Sequence, residues 1–413
     1  MTPALHILFS TLPFAPVTAP PDGPDAPTAT ASSPALRWTV LTADGANRTG
    51  RIATWRLDAG LSLRDDAGSE QLIASDSVVR LTNATVGTRS PGAAADGEWI
   101  VESIDGERVG GTISGGGETT LSIRHPRLGE LSFSLDRLAR IERADLAARD
   151  PADDRDADEA PPSEDQVWLR NGDHSAGIID RLDERGVSLQ TGRRRQEFPW
   201  SVLRRVRLAN PEPKGPPAAR RMVLACADGA VLIGEEIDWR DDRVRLTRAG
   251  RAGVTLNASD VRAIRVDGGR WCWLSDLPPA KFEATPFMDL RWPMRRDRNV
   301  VGGPLVCGGE PWDKGVGLHS AARVTWTLEG RYERLAMRVG IDDSGGRWSD
   351  VDVEIRLDGR AVTRFEHVRW GEPPRPVDLD MSGVRELTIV IGFGDHGDLQ
   401  DRVNLLDAAL VRR

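Results

Sequence analysis

The sequence has little of several residue types, and each shortage argues against a class of protein. Its 413 residues include 3 cysteines and 1 tyrosine, and only Lys214, Lys281 and Lys314 are lysines among 55 basic residues. The cysteines lack the paired spacing of a zinc site or a redox Cys-x-x-Cys motif. No run of about 18 apolar residues occurs, so we expect no transmembrane helix. The net charge of -8 argues against a nucleic-acid binder, which needs basic surface to displace counterions from phosphates.

Two features bear on the cellular compartment. Cys272 and Cys307 could form a disulfide in an oxidising compartment, but buried free thiols are the preferred interpretation. Residues 1–34 are either a signal-like segment or a disordered tail rich in Pro, Ala and Thr. An apolar core that ends at Leu12 and a Val-x-Ala end at Ala19 favour a signal peptide, whereas no Lys or Arg precedes the core. The localisation that the sequence favours is secreted, periplasmic or cell-envelope associated.

A short motif recurs four times before residue 270. Each copy contains a turn dipeptide: Asp44-Gly45, Asp105-Gly106, Asn171-Gly172 and Asp228-Gly229. Five positions after each of these glycines comes another: Gly50, Gly111, Gly177 and Gly234. Alternating apolar pairs follow: Leu61 and Leu63, Leu121 and Ile123, Val187 and Leu189, Val244 and Leu246. Period-2 alternation with Asp-Gly or Asn-Gly turns is typical of strands connected by hairpins.

These repeats predict small β domains in series. Four or five short strands in a unit of roughly 50 residues resemble, in architecture, the bent barrels of the SH3-like or Sm-like kind. We place the repeats at 35–84, 97–144, 166–209 and 219–268. An acidic linker at 145–165, expected to be disordered, and a Pro-rich hinge at 210–218 separate them.

The repeats carry no recognisable catalytic motif. They contain no Ser/His/Asp or Cys/His arrangement, no Gly-rich loop that joins a strand to a helix, and no histidines with metal-ligand spacing. Arg193 to Arg195 could contact an anion, but their place between Leu189 and Phe198 favours a solvated hairpin tip. We therefore interpret the repeats as spacers or as modules that bind an envelope protein.

The most informative motifs lie in the last third of the chain. Lys314-Gly315-Val316-Gly317-Leu318-His319-Ser320 is followed by Gly340-Ile341-Asp342-Asp343, and both lie between alternating apolar runs. Further motifs are Trp273-Leu274-Ser275-Asp276, Leu357-Asp358-Gly359 and Ser382-Gly383-Val384. Through these motifs residues 270–413 resemble the NPCBM/NEW2 family of carbohydrate-binding-type modules. The resemblance implies a galactose-binding-like β-sandwich, a jelly roll often attached to glycoside hydrolases. The expected fold class is all-β, with four small barrels followed by this sandwich.

Several residues of this last domain are candidates for contacting a sugar. A sugar site needs an exposed aromatic ring for the C–H face and polar groups for the hydroxyls. Trp312 and Trp348 are the preferred rings, with packing against the edge of the sandwich as the alternative. His319 could bond a hydroxyl, although support of a tight turn is preferred. Asp342 and Asp343 could accept hydrogen bonds from hydroxyls, ligate calcium or cap a turn.

A second candidate is a Ca²⁺ site in the loop 392–401. Asp395, Asp398 and Asp401 recur at three-residue intervals, as oxygen ligands of calcium would. The loop lacks an EF-hand pattern, and a solvated loop is the preferred interpretation. Many relatives in the family have an Asp-His-Ala-Asp-Trp-like run where this sequence has Asp401-Arg402-Val403-Asn404-Leu405. A glycan or ion contact that depends on that run is therefore not implied here.

Three functions follow, in order of preference. The first is a noncatalytic protein that binds a glycan, of galactose type or a related polysaccharide, on loops of the sandwich. The alternative is an envelope protein-interaction scaffold without a sugar ligand. The third, a glycoside hydrolase or its accessory, is disfavoured because the short β units leave no room for a catalytic domain with two positioned carboxylates.

Overall fold

The computed structural model describes residues 36–85, 98–147, 162–211, 217, 219–285 and 291–412. In this part of the chain nearly all regular structure is β-strand, and the α-helical segment α1 (Ala144–Ala147) is too short to cross a membrane. The all-β fold class predicted from the alternation of apolar residues is therefore confirmed. The predicted N-terminal segment 1–34, and most of the predicted linker and hinge, lie outside the described residues.

Each repeat forms five successive strands, or six where the second strand is divided. The first unit contains β1 (Trp38–Thr42), β2 (Asn47–Arg56), β3 (Gly60–Arg64), β4 (Glu70–Ile73) and β5 (Val78–Asn83). The second contains β6 (Trp99–Ser103), β7 (Arg108–Gly116), β8 (Thr120–His125), β9 (Gly129–Ser134) and β10 (Leu138–Arg143). The third contains β11 (Asp165–Leu169), β12 (His174–Leu182), β13 (Gly186–Thr191), β14 (Arg194–Pro199) and β15 (Leu203–Arg207). The fourth contains β16 (Arg221–Cys226), β17 (Val231–Gly234), β18 (Glu236–Arg240), β19 (Arg243–Arg248), β20 (Arg251–Asn257) and β21 (Val261–Asp267).

The repeated glycines explain how each unit closes. The last strand pairs with the first in every unit: β1 with β5, β6 with β10, β11 with β15, and β16 with β21. The glycine of each turn dipeptide has φ between 77° and 96°, a conformation that other residues rarely adopt. At the second glycine a Cβ would lie 2.4 or 2.5 Å from a carbonyl oxygen of the strand that follows. Glycine therefore lets the second strand bend tightly across its neighbour. The likeness to SH3-like or Sm-like barrels stays a prediction.

Both ends of the predicted linker 145–165 have regular structure. Residues 145–147 of the predicted linker belong to α1, and β11 begins at Asp165, the last residue of the predicted linker. The two carboxylate oxygens of Asp165 accept hydrogen bonds from the backbone N–H groups of Ile179 at 2.7 Å and Ala209 at 2.8 Å. These bonds fix the entry into the third unit, and the predicted linker bounds stay a prediction because residues 148–161 lie outside the described residues.

Last strands pair the units two by two, and one of these pairs joins units that are far apart in the chain. β5 pairs with β21, with Leu81 opposite Ile264, and joins the first unit to the fourth. β10 pairs with β15, with Ile141 opposite Val206, and joins the second unit to the third. In both cases the facing residues occupy equivalent positions in their repeats, so each pair has local two-fold symmetry.

The last third of the chain forms a β-sandwich. One sheet contains β22 (Trp271–Trp273), β24 (Arg295–Arg296), β27 (Gly315–His319), β29 (Tyr332–Ile341), β32 (Arg375–Asp380) and β34 (Arg402–Arg412). The other contains β23 (Lys281–Ala284), β28 (Ala322–Thr327), β30 (Asp350–Leu357), β31 (Arg360–Arg369) and β33 (Glu386–Phe393). A separate hairpin pairs β25 (Leu305–Cys307) with β26 (Glu310–Trp312). Apolar side chains of both sheets share one core, and Cys226, Cys272 and Cys307 are buried free thiols.

The sandwich is joined to the first and fourth units by charged and polar contacts, which we call the junction. Arg80 of β5 lies 2.6 Å from Asp407, and Arg262 of β21 lies 3.4 Å from Asp313. The indole N–H of Trp273 donates to the buried carboxylate of Asp267 at 2.8 Å. The sandwich and the β units therefore form one connected body over the described residues.

Candidate functional site

The Lys314 motif, the most distinctive in the sequence, has a structural role. Lys314 is only 5% exposed, and its ammonium group donates to carboxylate oxygens of Asp276 and Asp297, each at 2.6 Å. A Cβ on Gly315 or Gly317 would lie 2.5 or 2.3 Å from a backbone carbonyl oxygen of a neighbouring segment. The motif thus identifies the fold because its lysine is enclosed and its glycines permit close packing of the backbone.

Trp312 lies between the sandwich and the first unit. Its ring packs against the cluster of Leu305, Cys307 and Leu406, and the guanidinium of Arg80 lies 5.9 Å from the ring centroid. Arg80 is also part of the junction. This half-buried position favours packing, the alternative that the sequence left open, over stacking on a sugar.

His319 is buried at the end of β27. Its ring stacks on Trp292 with centroids 4.7 Å apart, and Nδ1–H donates to the carbonyl of Ser320 at 2.9 Å. Burial lowers the pKa of His319, so the imidazole is neutral near pH 7. These contacts favour support of the turn, which was the preferred interpretation.

Asp342 and Asp343 hold loops in place. The buried Asp342 accepts hydrogen bonds from side-chain amides of Asn299 at 3.0 Å and Asn404 at 2.6 Å. Asp343 accepts from the backbone N–H groups of Gly308 at 2.9 Å and Gly309 at 2.7 Å. Because protein donors engage both carboxylates, their geometry favours the capping of turns.

A different group of polar side chains meets where three strands end. β30 begins at Asp350, which pairs in register with Arg369 at the end of β31. The next residue, Val351, pairs with Phe393 at the end of β33. Asp350, His367, Arg369 and Asp395 therefore come together, and we call them the loop-end cluster.

The loop-end cluster is linked by short contacts. Asp350, 1% exposed, lies with one oxygen 3.1 Å from Nδ1 of His367, while its other oxygen accepts from Nη2 of Arg369 at 3.2 Å. The same Nη2 donates to Asp395 at 3.4 Å. The cluster therefore presents an imidazole, a guanidinium and an exposed carboxylate around one buried carboxylate.

His367 has an unusual backbone conformation. Its φ is 53°, in the left-handed region that is uncommon for residues other than glycine. The conformation is held from both sides, because His367 N–H donates to Asp352 at 3.1 Å and its carbonyl accepts from Arg375 at 2.7 Å. Such strained residues cluster at binding sites, where the strain fixes the direction of a side chain.

Three exposed rings lie beside the loop-end cluster, and we call them the aromatic patch. Trp348, Trp370 and Phe393 are 42%, 44% and 37% exposed. The ring of Trp348 meets His396 edge-on at 5.3 Å, and the indole N–H of Trp370 donates to the carbonyl of Asp343 at 3.2 Å. The two tryptophans are thus oriented by the protein while much of their surface faces solvent, an arrangement suited to ligand binding.

The two buried carboxyl groups of this region, Asp350 and Asp401, have pKa values that are shifted in opposite directions. Burial alone would raise the pKa of Asp350, but hydrogen bonds from His367 and Arg369 outweigh it and hold this pKa below its usual range. Asp401 lies beneath the cluster, where it accepts from Ser320 Oγ at 2.6 Å and from the backbone N–H of Asp350 at 3.1 Å. Burial raises the pKa of Asp401 to about 7. Asp350 is therefore ionised at neutral pH, whereas Asp401 titrates there.

The predicted calcium ligands do not meet as a set. Among the described residues, the group whose ligand atoms lie close enough to share an ion is Asp350, His367 and Asp395. Asp401 is buried, and both of its oxygens are bonded within the protein, while Asp398 is not part of the group. Arg369 already contacts the two carboxylates of the group, so a cation would compete with a guanidinium.

Sequence reasoning singled out Trp348 and Asp395 in this region but missed Asp350, His367 and Arg369. These three belong to strands, and their convergence depends on a pairing register that one sequence does not reveal. Trp370 carried a usable signal, because Gly371 and two prolines follow it closely and indicate a loop. A tryptophan in such a loop is a candidate for exposure.

Comparison with known proteins agrees with this architecture. The fold of the last third of the chain is a β-sandwich, and residues 270–411 match the sequence model of the NPCBM/NEW2 domain. The resemblance found in the sequence is thereby confirmed over the last third of the chain. No protein with a curated description matches the chain.

Solved structures of related modules are similar to parts of this chain. One is CBM51 from Clostridium perfringens GH95 in complex with methyl-galactose, with 22% identity, 34% of this chain and 99% of that chain covered, and a TM-score of 0.32. Another is CBM51-2 with the INT domains from Clostridium perfringens ZmpB in complex with GlcNAc, at 21% identity and a TM-score of 0.31. That match covers 43% of this chain and 37% of the other. The tandem CBM51 modules of a Streptococcus pneumoniae family 98 glycoside hydrolase show 14% identity, coverage of 60% and 88%, and a TM-score of 0.31.

Proposed function

We propose that this protein is a noncatalytic carbohydrate-binding protein and that its glycan binds at the loop-end cluster and aromatic patch of the sandwich. The observation that carries the proposal is the exposure of Trp348 and Trp370 beside Arg369, His367 and Asp395. Rings bind the C–H face of a sugar, and charged side chains bond its hydroxyls directionally. Both kinds of group are held by the protein before any ligand arrives.

A galactose-type residue is the ligand we propose within this class. Its axial 4-hydroxyl leaves the opposite face of the ring rich in C–H groups, which suits stacking on an indole. The hydroxyl edge would then face the imidazole of His367 and the carboxylate of Asp395. One monosaccharide at about -0.3 kcal/mol per heavy atom binds with about -4 kcal/mol, near 1 mM. Tight retention on a polymer would need several modules or repeated epitopes.

The electrostatics support binding rather than hydrolysis. A glycosidase needs two carboxyl groups, one of them an acid whose pKa is raised. Asp350 is buried, and its pKa is held below the usual range by His367 and Arg369. Asp401, whose pKa is raised, is buried beneath the cluster and not beside the rings.

The β units serve in this proposal as a rigid base for the sandwich. The ion pairs Arg80–Asp407 and Arg262–Asp313 support that role because they join the first and fourth units to the sandwich. We also propose that the protein acts outside the cytoplasm, where a polysaccharide would be met. N-terminal sequencing of the protein from cell fractions tests this point: an uncleaved protein confined to the cytoplasmic fraction would contradict it.

One observation favours the alternative of a protein-binding scaffold. Leu72 is 70% exposed on β4, and among the described strands β4 pairs with β3 alone. Such an open edge can accept a strand from another protein. Crosslinking in envelope extracts would support this role if Leu72→Glu removed a defined partner and Ile178→Glu, a change at another exposed apolar residue, did not.

A glycan array with the whole chain tests the leading proposal. We expect retention on galactose-containing glycans, reduced when Trp348 and Trp370 are both replaced by alanine. Trp168→Ala in the third unit is the matched control, because it removes a half-buried indole away from the sandwich. Absence of retention on every polysaccharide, with and without calcium, would overturn the proposal.

A further inference from the structure

A second cleft lies between the second unit, the fourth unit and the sandwich. Its volume is about 980 Å³, and eight basic and five acidic side chains line it. The lining therefore has a small excess of basic side chains, although the whole chain has a net charge of -8. The cleft is separate from the loop-end cluster and shares no residue with it.

Most charges in the cleft are paired within the protein. Arg137 lies 2.6 Å from Asp105, and Lys314 contacts two aspartates. Arg220 and Arg296 also line the cleft, and among the described residues neither has an acidic partner. Arg296 belongs to the sandwich, whereas Arg220 immediately precedes β16 of the fourth unit. One of these two guanidinium groups therefore comes from the sandwich and the other from the fourth unit.

Several buried polar atoms of the residues that line this cleft also lack a hydrogen-bond partner in the part of the chain that the structure describes. Ser275 is 3% exposed, and its hydroxyl bonds to none of the described residues. One carboxylate oxygen of Asp276 and the Nε–H of Arg221 likewise have no partner among them. A buried polar group without a partner destabilises the folded protein, so such groups call for an explanation. A hydroxyl, an acceptor and donors in one cleft suit a ligand that carries both hydroxyls and an acidic group.

We propose that this cleft is a second binding site, for an acidic oligosaccharide whose carboxylate or sulfate groups bind Arg220 and Arg296. Guanidinium groups bind carboxylate and sulfate oxygens through paired hydrogen bonds. The sugar hydroxyls satisfy Ser275 and Asp276. The volume lies within the range of about 300–1,000 Å³ typical of ligand sites, enough for a short oligosaccharide.

The lining of the cleft argues against a nucleic acid strand. None of the described residues that line it is aromatic, whereas single-stranded nucleic acids bind through stacking of bases. The chemistry that remains is that of charge and hydroxyls. Because Arg296 belongs to the sandwich and Arg220 to the fourth unit, a bound acidic sugar also bridges these two parts of the protein.

Calorimetric titration of the whole chain tests this site with four probes: a uronic-acid disaccharide, a sulfated disaccharide, a neutral disaccharide and inorganic sulfate. We expect an acidic disaccharide to bind, to bind less at high salt, and to raise the unfolding temperature. The acidic disaccharide that binds more tightly identifies the acidic group. The double variant Arg220→Ala, Arg296→Ala should weaken binding by roughly tenfold or more, since two charge-assisted contacts are lost.

Two controls keep this site distinct from the loop-end site. Arg193→Ala with Arg194→Ala removes two exposed arginines from a hairpin of the third unit and should leave affinity unchanged. Trp348→Ala should also leave the affinity for the acidic probe unchanged, so the two proposals can fail separately.

A further variant tests the cleft itself. Ser275→Ala, which breaks no protein hydrogen bond among the described residues, should fold normally and bind the acidic disaccharide more weakly. Equal binding of the neutral disaccharide or of inorganic sulfate, or unchanged affinity in the double variant, would overturn the proposal.

Discussion

The sandwich contains two groups of acidic and basic side chains that differ in their surroundings. Around Lys314 and at the junction, the charges are enclosed and paired with one another. In the loop-end cluster, Arg369 and Asp395 are largely exposed and lie beside the aromatic patch. Enclosed pairs fix the position of one body on another, whereas exposed pairs beside rings can exchange their contacts for those of a ligand. Residue type alone does not distinguish the two roles.

The largest effect is expected at Lys314. Lys314→Met removes the buried cation that pairs with the half-buried Asp276 and Asp297, and because breaking a fully buried pair costs about 3–5 kcal/mol, we expect a loss near the lower end of that range. Lys281→Met is the matched control, because Lys281 forms an exposed pair with Glu283 at 2.9 Å. Such exposed pairs contribute about 1 kcal/mol or less. Urea unfolding measures both, and equal stability of the two variants would contradict an enclosed role for Lys314.

The second prediction concerns Asp401, beneath the loop-end cluster. Because burial raises its pKa to about 7, its contribution to stability is full below the pKa of the unfolded chain and is lost as pH rises through 7. A shift of about three pKa units corresponds to about 4 kcal/mol. Asp401→Asn mimics the protonated acid, so the free energy of unfolding should depend less on pH in the variant. Parallel stability curves for both proteins between pH 4 and pH 9 would exclude this role.

The third prediction compares one arginine from each region. Arg80→Met leaves Asp407 buried at the junction and should destabilise the protein by about 2–3 kcal/mol without changing affinity for neutral glycans. Arg369→Met should cost about 1 kcal/mol, since His367 still bonds Asp350, and should weaken glycan binding. Thermal unfolding and titration of both variants measure the two effects. If Arg80→Met weakened binding as much as Arg369→Met, the separation of roles would be wrong.

The sequence predicted different aspects of the fold in the β units and in the sandwich. The Asp-Gly and Asn-Gly turns and their second glycines predicted the hairpins, because each glycine meets a local steric requirement. The pairing of the first unit with the fourth was not predictable, because it depends on strand edges far apart in the sequence. In the sandwich, the Lys314 motif predicted the family because its spacing reflects the close packing of that fold.

The candidate site was predictable only in part. Trp348 was found because glycines and polar residues around it indicate an exposed loop. Trp312 was equally plausible in the sequence, yet its neighbour in space is Arg80, more than two hundred positions earlier. Asp350, His367 and Arg369 were missed because their convergence follows from the register of β30 with β31. Local patterns thus predicted elements, and long-range pairing decided which side chains share a site.

The most direct test of the central claim is a calorimetric titration of the whole chain with a galactose-containing oligosaccharide. The wild type should bind with a Kd near 1 mM or lower, and the double variant Trp348→Ala, Trp370→Ala should bind at least about tenfold more weakly. Trp168→Ala should bind as the wild type does, and all three proteins should unfold at similar temperatures. Equal affinity of the folded double variant and the wild type would contradict the assignment of the glycan to the loop end of the sandwich.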